Sequence, residues 1–212
     1  MNNQPIVVPN GLLIIGFGGH ARSVADVALS IGVKSLCFID ENARDGEEFC
    51  SFPVKKMFDF DLGADWAAFP ASGDNHKRAQ QFQWLQSRFI PIATLISSRA
   101  TIGVGSVIGA GSFIGHHAHI GPMAEIGTGC IINTGAIVEH ECVIEEFCHV
   151  SVGSTIAGRS TLGARGFIGA GATVIDAITI VSDVTIGAGG CVPRHLTESG
   201  VYTGVPVRRV RR

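Results

Sequence analysis

From Ile102 to Val192 every sixth residue is Ile, Val or Leu, sixteen positions without a break. An α-helix turns once in about 3.6 residues and would carry such a series around its whole surface. A triangular β-solenoid keeps the series on one side. Each hexapeptide supplies a short strand and a corner, the branched side chain points into the prism, and three hexapeptides close a coil. Two further positions keep the same count. Gly follows the aliphatic at 103, 109, 115, 121, 127, 163, 169 and 187, and a small residue stands four places after it from Ser106 to Ala172. Cys130, Cys142 and Cys148 fall in that small-residue slot, which assigns them to packing under the corners rather than to reactive chemistry. Residues eighteen apart then stack on neighbouring coils at the β spacing of about 4.8 Å.

The composition changes near residue 95. Nine of the twelve Phe and both Trp lie before it, whereas Gly, Ala, Ser, Ile and Val dominate after it. The pattern predicts α/β plus β-solenoid: a small Rossmann-like βαβ domain over 1–95, a parallel β-helix over 96–200 and a C-terminal segment with a basic tail over 201–212. In the first domain Leu12 to Ile15 reads as a buried strand, followed by a turn with Gly16, Gly18 and Gly19 and a helix from about Ala21 to Ser30. Leu36 to Ile39 and Trp66 to Pro70 read as further strands, with a second helix near Lys77 to Arg88. Ligands of such sheets lie at the carboxyl ends of the strands. Gly16, Gly18 and Ala21 with Asp40 downstream match the dinucleotide-binding pattern in outline. A domain of this size holds half of a two-lobed dinucleotide fold, which points away from NAD and towards a nucleotide-linked ligand.

A formal net charge of −2 gives no general attraction to nucleic acid or anionic membranes. Arg208, Arg209, Arg211 and Arg212 read as a solvated tail. The start, Met1 to Pro5, lacks the basic region of a signal peptide, and the apolar run Leu12 to Ile15 is too short to span a bilayer, so the expectation is a cytoplasmic protein. The six Cys show no metal-ligand spacing. His116, His117 and His119 have no carboxylate or thiol at ligand spacing and lie on a different corner from His140, so no metal is expected.

The handedness of the solenoid does not follow from its period. The aliphatic-Gly-x-x-small-x pattern resembles the left-handed β-helix acyltransferases, which implies a left-handed parallel β-helix, an acyl-CoA substrate and a homotrimer with sites between subunits. From Leu12 to Val210 the chain resembles the bacterial sugar acetyltransferases that modify nucleotide-activated amino sugars. That family includes the UDP-4-amino-sugar N-acetyltransferases and relatives described as sialic acid O-acetyltransferases. The resemblance rests on Ile15-Gly16-Phe17-Gly18-Gly19-His20, Phe38-Ile39-Asp40-Glu41, Ser72-Gly73-Asp74-Asn75, Val138-Glu139-His140-Glu141-Cys142-Val143-Ile144 with His149-Val150-Ser151, and the closing Gly204-Val205-Pro206. It implies that Gly18, Gly19, His20, Asp40, Glu41 and Gly73 bind the nucleotide sugar. By the same resemblance His140 is the general base, Glu141 its polarising partner, and His149, Gly158, Ala170 and Ala188 contact acetyl-CoA, in a pathway of polysaccharide biosynthesis.

The residues suit that chemistry. An amine attacking a thioester must first lose a proton, and an imidazole takes protons at neutral pH. His140 stands two places after the inward Val138 and so belongs to a corner; a neighbouring carboxylate favours the imidazolium that forms. Gly158 is eighteen residues on and should stack beside His140, where its N–H faces a developing oxyanion. Ala170 and Ala188 are also eighteen apart and leave room for a pantetheine arm. His149 precedes the inward Val150 and so points outward, within reach of a ligand. His20 either assists the substrate or caps the first helix. The leading expectation is acetyl transfer from acetyl-CoA to the amino group of a nucleotide-linked 4-amino-4,6-dideoxy sugar. Transfer to a sugar hydroxyl of the sialic acid type, a solenoid that binds a nucleotide sugar without catalysis, and an NAD-dependent enzyme stand as alternatives.

Overall fold

The computed structural model describes residues 8–58 and 62–210. Met1 to Pro5 and the tail residues Arg211 and Arg212 lie outside the described residues. The first unit runs β1 (Gly11–Ile15), α1 (Gly19–Ser30), β2 (Ser35–Ile39), β3 (Glu48–Phe49), β4 (Phe52–Lys55), β5 (Trp66–Pro70) and α2 (Asn75–Ser87). Its sheet has the order β3-β4-β2-β1-β5, with β4, β2, β1 and β5 parallel and β3 antiparallel at the edge. The apolar run that marks β1 is buried from Leu12 to Ile14 because helices cover both sides of a parallel sheet. The β3–β4 hairpin is the element that the sequence pattern does not announce. Phe49 and Phe52 are partly buried, Val54 is buried in the core, and β4 pairs with β2.

Every strand from Leu95–Ile96 to Cys191–Val192 is two or three residues long and falls in register with the hexapeptide count, whereas the last two, Gly200–Thr203 and Arg208–Arg209, lie outside it. Three parallel faces result. The first stacks Thr101–Ile102, His119–Ile120, Ile137–Val138, Thr155–Ile156, Thr173–Val174 and Cys191–Val192, and the second runs from Val107–Ile108 to Thr179–Ile180. The third starts at Leu95–Ile96, continues through Phe113–Ile114, Ile131–Ile132, His149–Val150, Phe167–Ile168 and Val184–Ile186, and ends on Gly200–Thr203 and the antiparallel Arg208–Arg209. Their arrangement is that of the left-handed β-helix. Inside, the aliphatics from Ile114 to Val192 form one continuous core. Each buried Ile, Val or Leu contributes about 1.5–3 kcal/mol. The three Cys of the small-residue slot are fully buried, and Cys142 and Cys148 point their thiols at the carbonyl oxygens of Ala157 and Gly163, 3.2 and 3.1 Å away. Burial pushes both thiols up in pKa, so neither is a nucleophile.

The corners have a fixed conformation. At every sixth residue from Gly105 to Gly189 the backbone is left-handed, and eight of these residues are not glycine: His117, Met123, Glu141, Phe147, Arg159, Arg165, Ala177 and Asp183. Such residues cost of order 1 kcal/mol each, which the stacked coils over-determine. The Gly after the inward aliphatic answers a different demand. A Cβ on Gly121 would overlap the Glu139–His140 peptide of the next coil, so only glycine lets that corner settle onto its neighbour.

The first unit docks on the third face. Its α1 side packs with Leu95, Phe113 and Ile131 into one cluster, and Phe82 of α2 meets Phe147 edge to face at 5.6 Å. The centre of the joint is Arg78, only 1% exposed. Its guanidinium donates to the carbonyl oxygens of Gly129 (2.7 Å), Phe147 (2.8 Å) and Cys148 (3.1 Å) on two successive coils, to Ser72 O (3.0 Å) and to Asn75 Oδ1 (2.8 Å). Burial lowers its pKa to about 10, so it stays a cation at neutral pH. Asn75 extends the joint by donating to Arg165 O and Gly166 O.

Arg78→Ala leaves several buried carbonyls without donors, and we expect a loss of about 3 kcal/mol or more. Denaturant unfolding checks it: the variant should show an early, separate transition of the first unit, and a single unshifted transition would contradict the role of Arg78.

Candidate active site

The side chains that the sequence singles out fall into three groups. The first lies at the carboxyl ends of β1, β2 and β5. The Phe17 N–H donates to Asp40 Oδ2 (2.9 Å) and the Asn42 N–H to Asp40 Oδ1 (3.0 Å), so the Asp40 carboxylate ties the glycine turn to the end of β2. Gly18, Gly19 and Glu41 are exposed there. A cleft of about 390 Å³ opens between Phe17, Gly18, Asp40, Asn42, Arg44 and Glu47. A second of about 530 Å³ lies on the other side of the strand ends, between Ile15, Ile39, Met57, Phe58, Gln81 and Trp84. An apolar slot beside exposed glycine N–H groups suits a base and its phosphates.

The second group is at the joint. His149 points away from the prism, as the repeat requires, but the first unit covers it. It is 7% exposed, where an open position was expected. Its Nδ1 faces Gly73 O at 3.3 Å and its Nε2 meets Asn133 Nδ2 at 3.2 Å. His20 lies 6.2 Å from it, ring to ring, and edge-on to Phe113 at 5.0 Å. The His20 ring caps nothing. The α1 N-terminus has no side-chain cap, and both His20 nitrogens are buried with no hydrogen-bond partner. An orphaned buried imidazole costs free energy. Burial, with His149 and Arg78 nearby, lowers His20 to about 3, and burial with Arg78 lowers His149 to about 4. Both are therefore neutral rings. Asn133 belongs to this group and carries no signal in the hexapeptide pattern beyond standing where Gly stands in other coils.

The third group is on the opposite edge of the prism, between the first and second faces. His140 and Glu141 form a corner there, and His140 Nδ1 lies 3.0 Å from Glu141 Oε2. The adjacency in sequence becomes a contact because Glu141 holds the left-handed corner position, at φ 57°. Arg159 N–H donates to His140 O (2.9 Å), which sets Gly158 beside the imidazole as the count of eighteen predicts. A Cβ on Gly158 would stand 2.5 Å from His140 Nε2. The His140 side chain is 43% exposed, so one chain leaves this edge open. Ala170 and Ala188 stack on a further corner, joined by Gly189 N–H to Ala170 O at 2.9 Å, and both are exposed. His116 instead pairs with Asp26 (3.1 Å) and Ser97 (2.6 Å), and His119 with Thr101 (2.7 Å). Among the described residues no three His, Cys, Asp or Glu gather as a metal site, and no helix is long and apolar enough to cross a membrane.

A left-handed solenoid with a small α/β unit on its face is the architecture of the hexapeptide-repeat acetyltransferase class. Residues 11–85 match the PglD N-terminal domain. The acetyltransferase domain of PglB from Neisseria gonorrhoeae superposes with a TM-score of 0.88 at 27% identity, over 95% of this chain and 100% of that one. A mutant GDP-perosamine N-acetyltransferase from Caulobacter crescentus, solved with CoA and GDP-perosamine, superposes with a TM-score of 0.86 at 29% identity, over 99% and 100%. WeeI from Acinetobacter baumannii shares the fold, with a TM-score of 0.81 at 20% identity over 94% and 99%. Among curated protein sequences none matches the chain. Taken together, these likenesses support a hexapeptide-repeat nucleotide-sugar N-acetyltransferase family for the chain.

Two outcomes follow. His20 and His149 are held neutral in the folded state but take protons when unfolded, below an ordinary pKa of about 6.5. The protonation-linked cost of burying them is therefore absent above that pH. Stability falls as the pH drops from about 6.5 towards 4, by up to about 1.4 kcal/mol per unit for each ring, and continues to fall for His20 towards 3. Urea unfolding against pH should show this slope, flattened in His20→Phe. Separately, Gly158→Ala should displace the His140 ring and remove activity while far-UV circular dichroism and melting temperature stay near those of the parent.

Proposed function

We propose that the protein transfers an acetyl group from acetyl-CoA to the amino group of a nucleotide-linked 4-amino-4,6-dideoxy sugar. The observation that carries this reading is the His140–Glu141 pair with Gly158 against the free face of the ring. Glu141 accepts from His140 Nδ1–H and leaves Nε2 as the basic nitrogen. The solved structures contribute the chemical class: the Neisseria domain was solved with acetyl coenzyme A, and the Caulobacter enzyme with CoA and GDP-perosamine. Nε2 takes a proton from the sugar ammonium. The amine lone pair attacks the thioester carbonyl, and the Gly158 N–H, which joins no coil-to-coil bond among the described residues, donates to the oxyanion. The nitrogen releases its second proton to water as the C–S bond breaks, and the imidazolium returns its proton to the departing CoA sulfur. An amide and a free thiol result.

The same geometry favours a homotrimer. The first unit, with Gly18, Gly19, His20, Asp40, Glu41 and Gly73 for the nucleotide sugar, covers the third face, whereas His140 stands on the edge opposite that face. A sugar held by one chain therefore meets the base of a neighbour, with the pantetheine passing along Ala170 and Ala188 and the His149 group lining the junction. Sedimentation should give the mass of three chains.

His140→Ala should lower kcat/KM about a thousand-fold, within the range for a lost general base. Glu141→Gly should slow turnover about ten-fold while raising stability by up to about 1 kcal/mol, since it relieves a left-handed residue. The acceptor is tested with UDP-, dTDP- and GDP-linked 4-amino-4,6-dideoxy sugars against free sialic acid. Turnover only on sialic acid would contradict the amine.

A further inference from the structure

One charged group on the His140 edge has no part in the scheme above. Asp176 lies one coil beyond Gly158, tied to it by Ala177 N–H donating to Gly158 O at 2.8 Å, so His140, Gly158 and Asp176 form a single column. Gly158 carries no side chain, and that leaves a gap between its neighbours. The point where a Cβ would stand is 2.5 Å from His140 Nε2 and 3.1 Å from Asp176 Oδ1. A nitrogen placed slightly outward from that point stays within hydrogen-bonding reach of both. Oδ2 of Asp176 is taken by Arg159 Nη2 at 2.6 Å, which fixes the carboxylate plane. Oδ1 has no hydrogen bond among the described residues and faces the gap.

We infer that Asp176 holds the ammonium group of the acceptor against His140 and thereby selects an amine over a hydroxyl. This rests on the acetyl-transfer reading of the site. A sugar ammonium has three N–H bonds. One points to Oδ1, one to Nε2 of the neutral imidazole, and the third remains free. Once Nε2 has taken its proton, rotation about the C–N bond turns the lone pair from the ring towards the thioester beside Gly158, while an N–H to Oδ1 keeps the nitrogen in place. A hydroxyl has one proton and cannot donate to both acceptors, so it leaves a carboxylate oxygen unpaired as the site closes. The Asp176–Arg159 pair is half exposed on both sides, and surface pairs of this kind add little to stability. A role in holding the fold therefore does not account for it.

The test is initial-rate kinetics of full-length Asp176→Asn, with whichever UDP-, dTDP- or GDP-linked 4-amino-4,6-dideoxy sugar the parent turns over. The matching 4-hydroxy nucleotide sugar serves as competitive inhibitor. We expect the KM for the amino sugar to rise about ten-fold, as for loss of one charge-assisted hydrogen bond. kcat and the KM for acetyl-CoA should change less than about two-fold, and inhibition by the hydroxy analogue should be unaltered. Asp176→Glu should recover part of the amino-sugar KM. An unchanged amino-sugar KM in Asp176→Asn would overturn the inference and leave acetyl transfer standing, as would equal weakening of amino sugar and hydroxy analogue. A parent enzyme that acetylates only hydroxyl acceptors would overturn both.

Discussion

The Arg78 guanidinium, buried against backbone carbonyls of two coils, decides how the two halves of this molecule meet. A cation without a carboxylate partner survives inside a protein only when its donors are used, and here all three nitrogens have oxygen partners. Corner carbonyls are what a solenoid has in surplus. Each coil turns a few of them outward, in a ladder with the spacing of the coils, and a planar fork from α2 spans two rungs. With the α/β unit fixed on one face, the opposite edge remains bare, and that edge carries His140 and Glu141. The separation of the His140 edge from the α/β unit thus begins with a structural arginine.

A β-helix filled with Ile and Val has no interior cavity in which to place polar side chains. Function moves to the corners, where residues are outward and where the coil count sets what stands beside what. The corner backbone is left-handed at every repeat, and glycine would adopt that conformation most cheaply. Glu141 and Arg159 occupy such positions instead. Each accepts backbone strain to direct a charged group along the edge, Glu141 to the ring of His140 and Arg159 to Asp176. Glycine is kept where coils must touch, as at Gly121, and where an imidazole must lean over its neighbour, as at Gly158.

The joint holds a second kind of chemistry, made of neutral rings. His20, His149 and Asn133 lie between α1, the loop before α2 and the third face, out of water and beside a cationic guanidinium. Their burial suppresses charge, so they present hydrogen-bonding groups of fixed position rather than acids or bases. His140, in contrast, is partly exposed, with its ring 3.0 Å from the Glu141 carboxylate.

The sequence by itself determined the solenoid, its register and the composition of its edge, though not its hand, because a period of six closes three hexapeptides into a coil and residues eighteen apart then have no choice of neighbour. The stacking of Gly158 beside His140 and the burial of Cys130, Cys142 and Cys148 were legible from counting alone. The strands and helices of the α/β unit were legible from apolar runs and glycine turns, though the β3–β4 hairpin was not, since its strands, Glu48–Phe49 and Phe52–Lys55, are short and carry no apolar run. Only the tertiary structure decided where that unit sits, because docking depends on Arg78, Asn75 and Phe82, residues whose spacing on α2 resembles any polar helix. For the same reason the covering of His149, the orphaned ring of His20 and the inclusion of Asn133 could not be read from periodicity. A repeat specifies contacts along its own axis, whereas a joint between two units is set by shape and by which carbonyls a single side chain can reach.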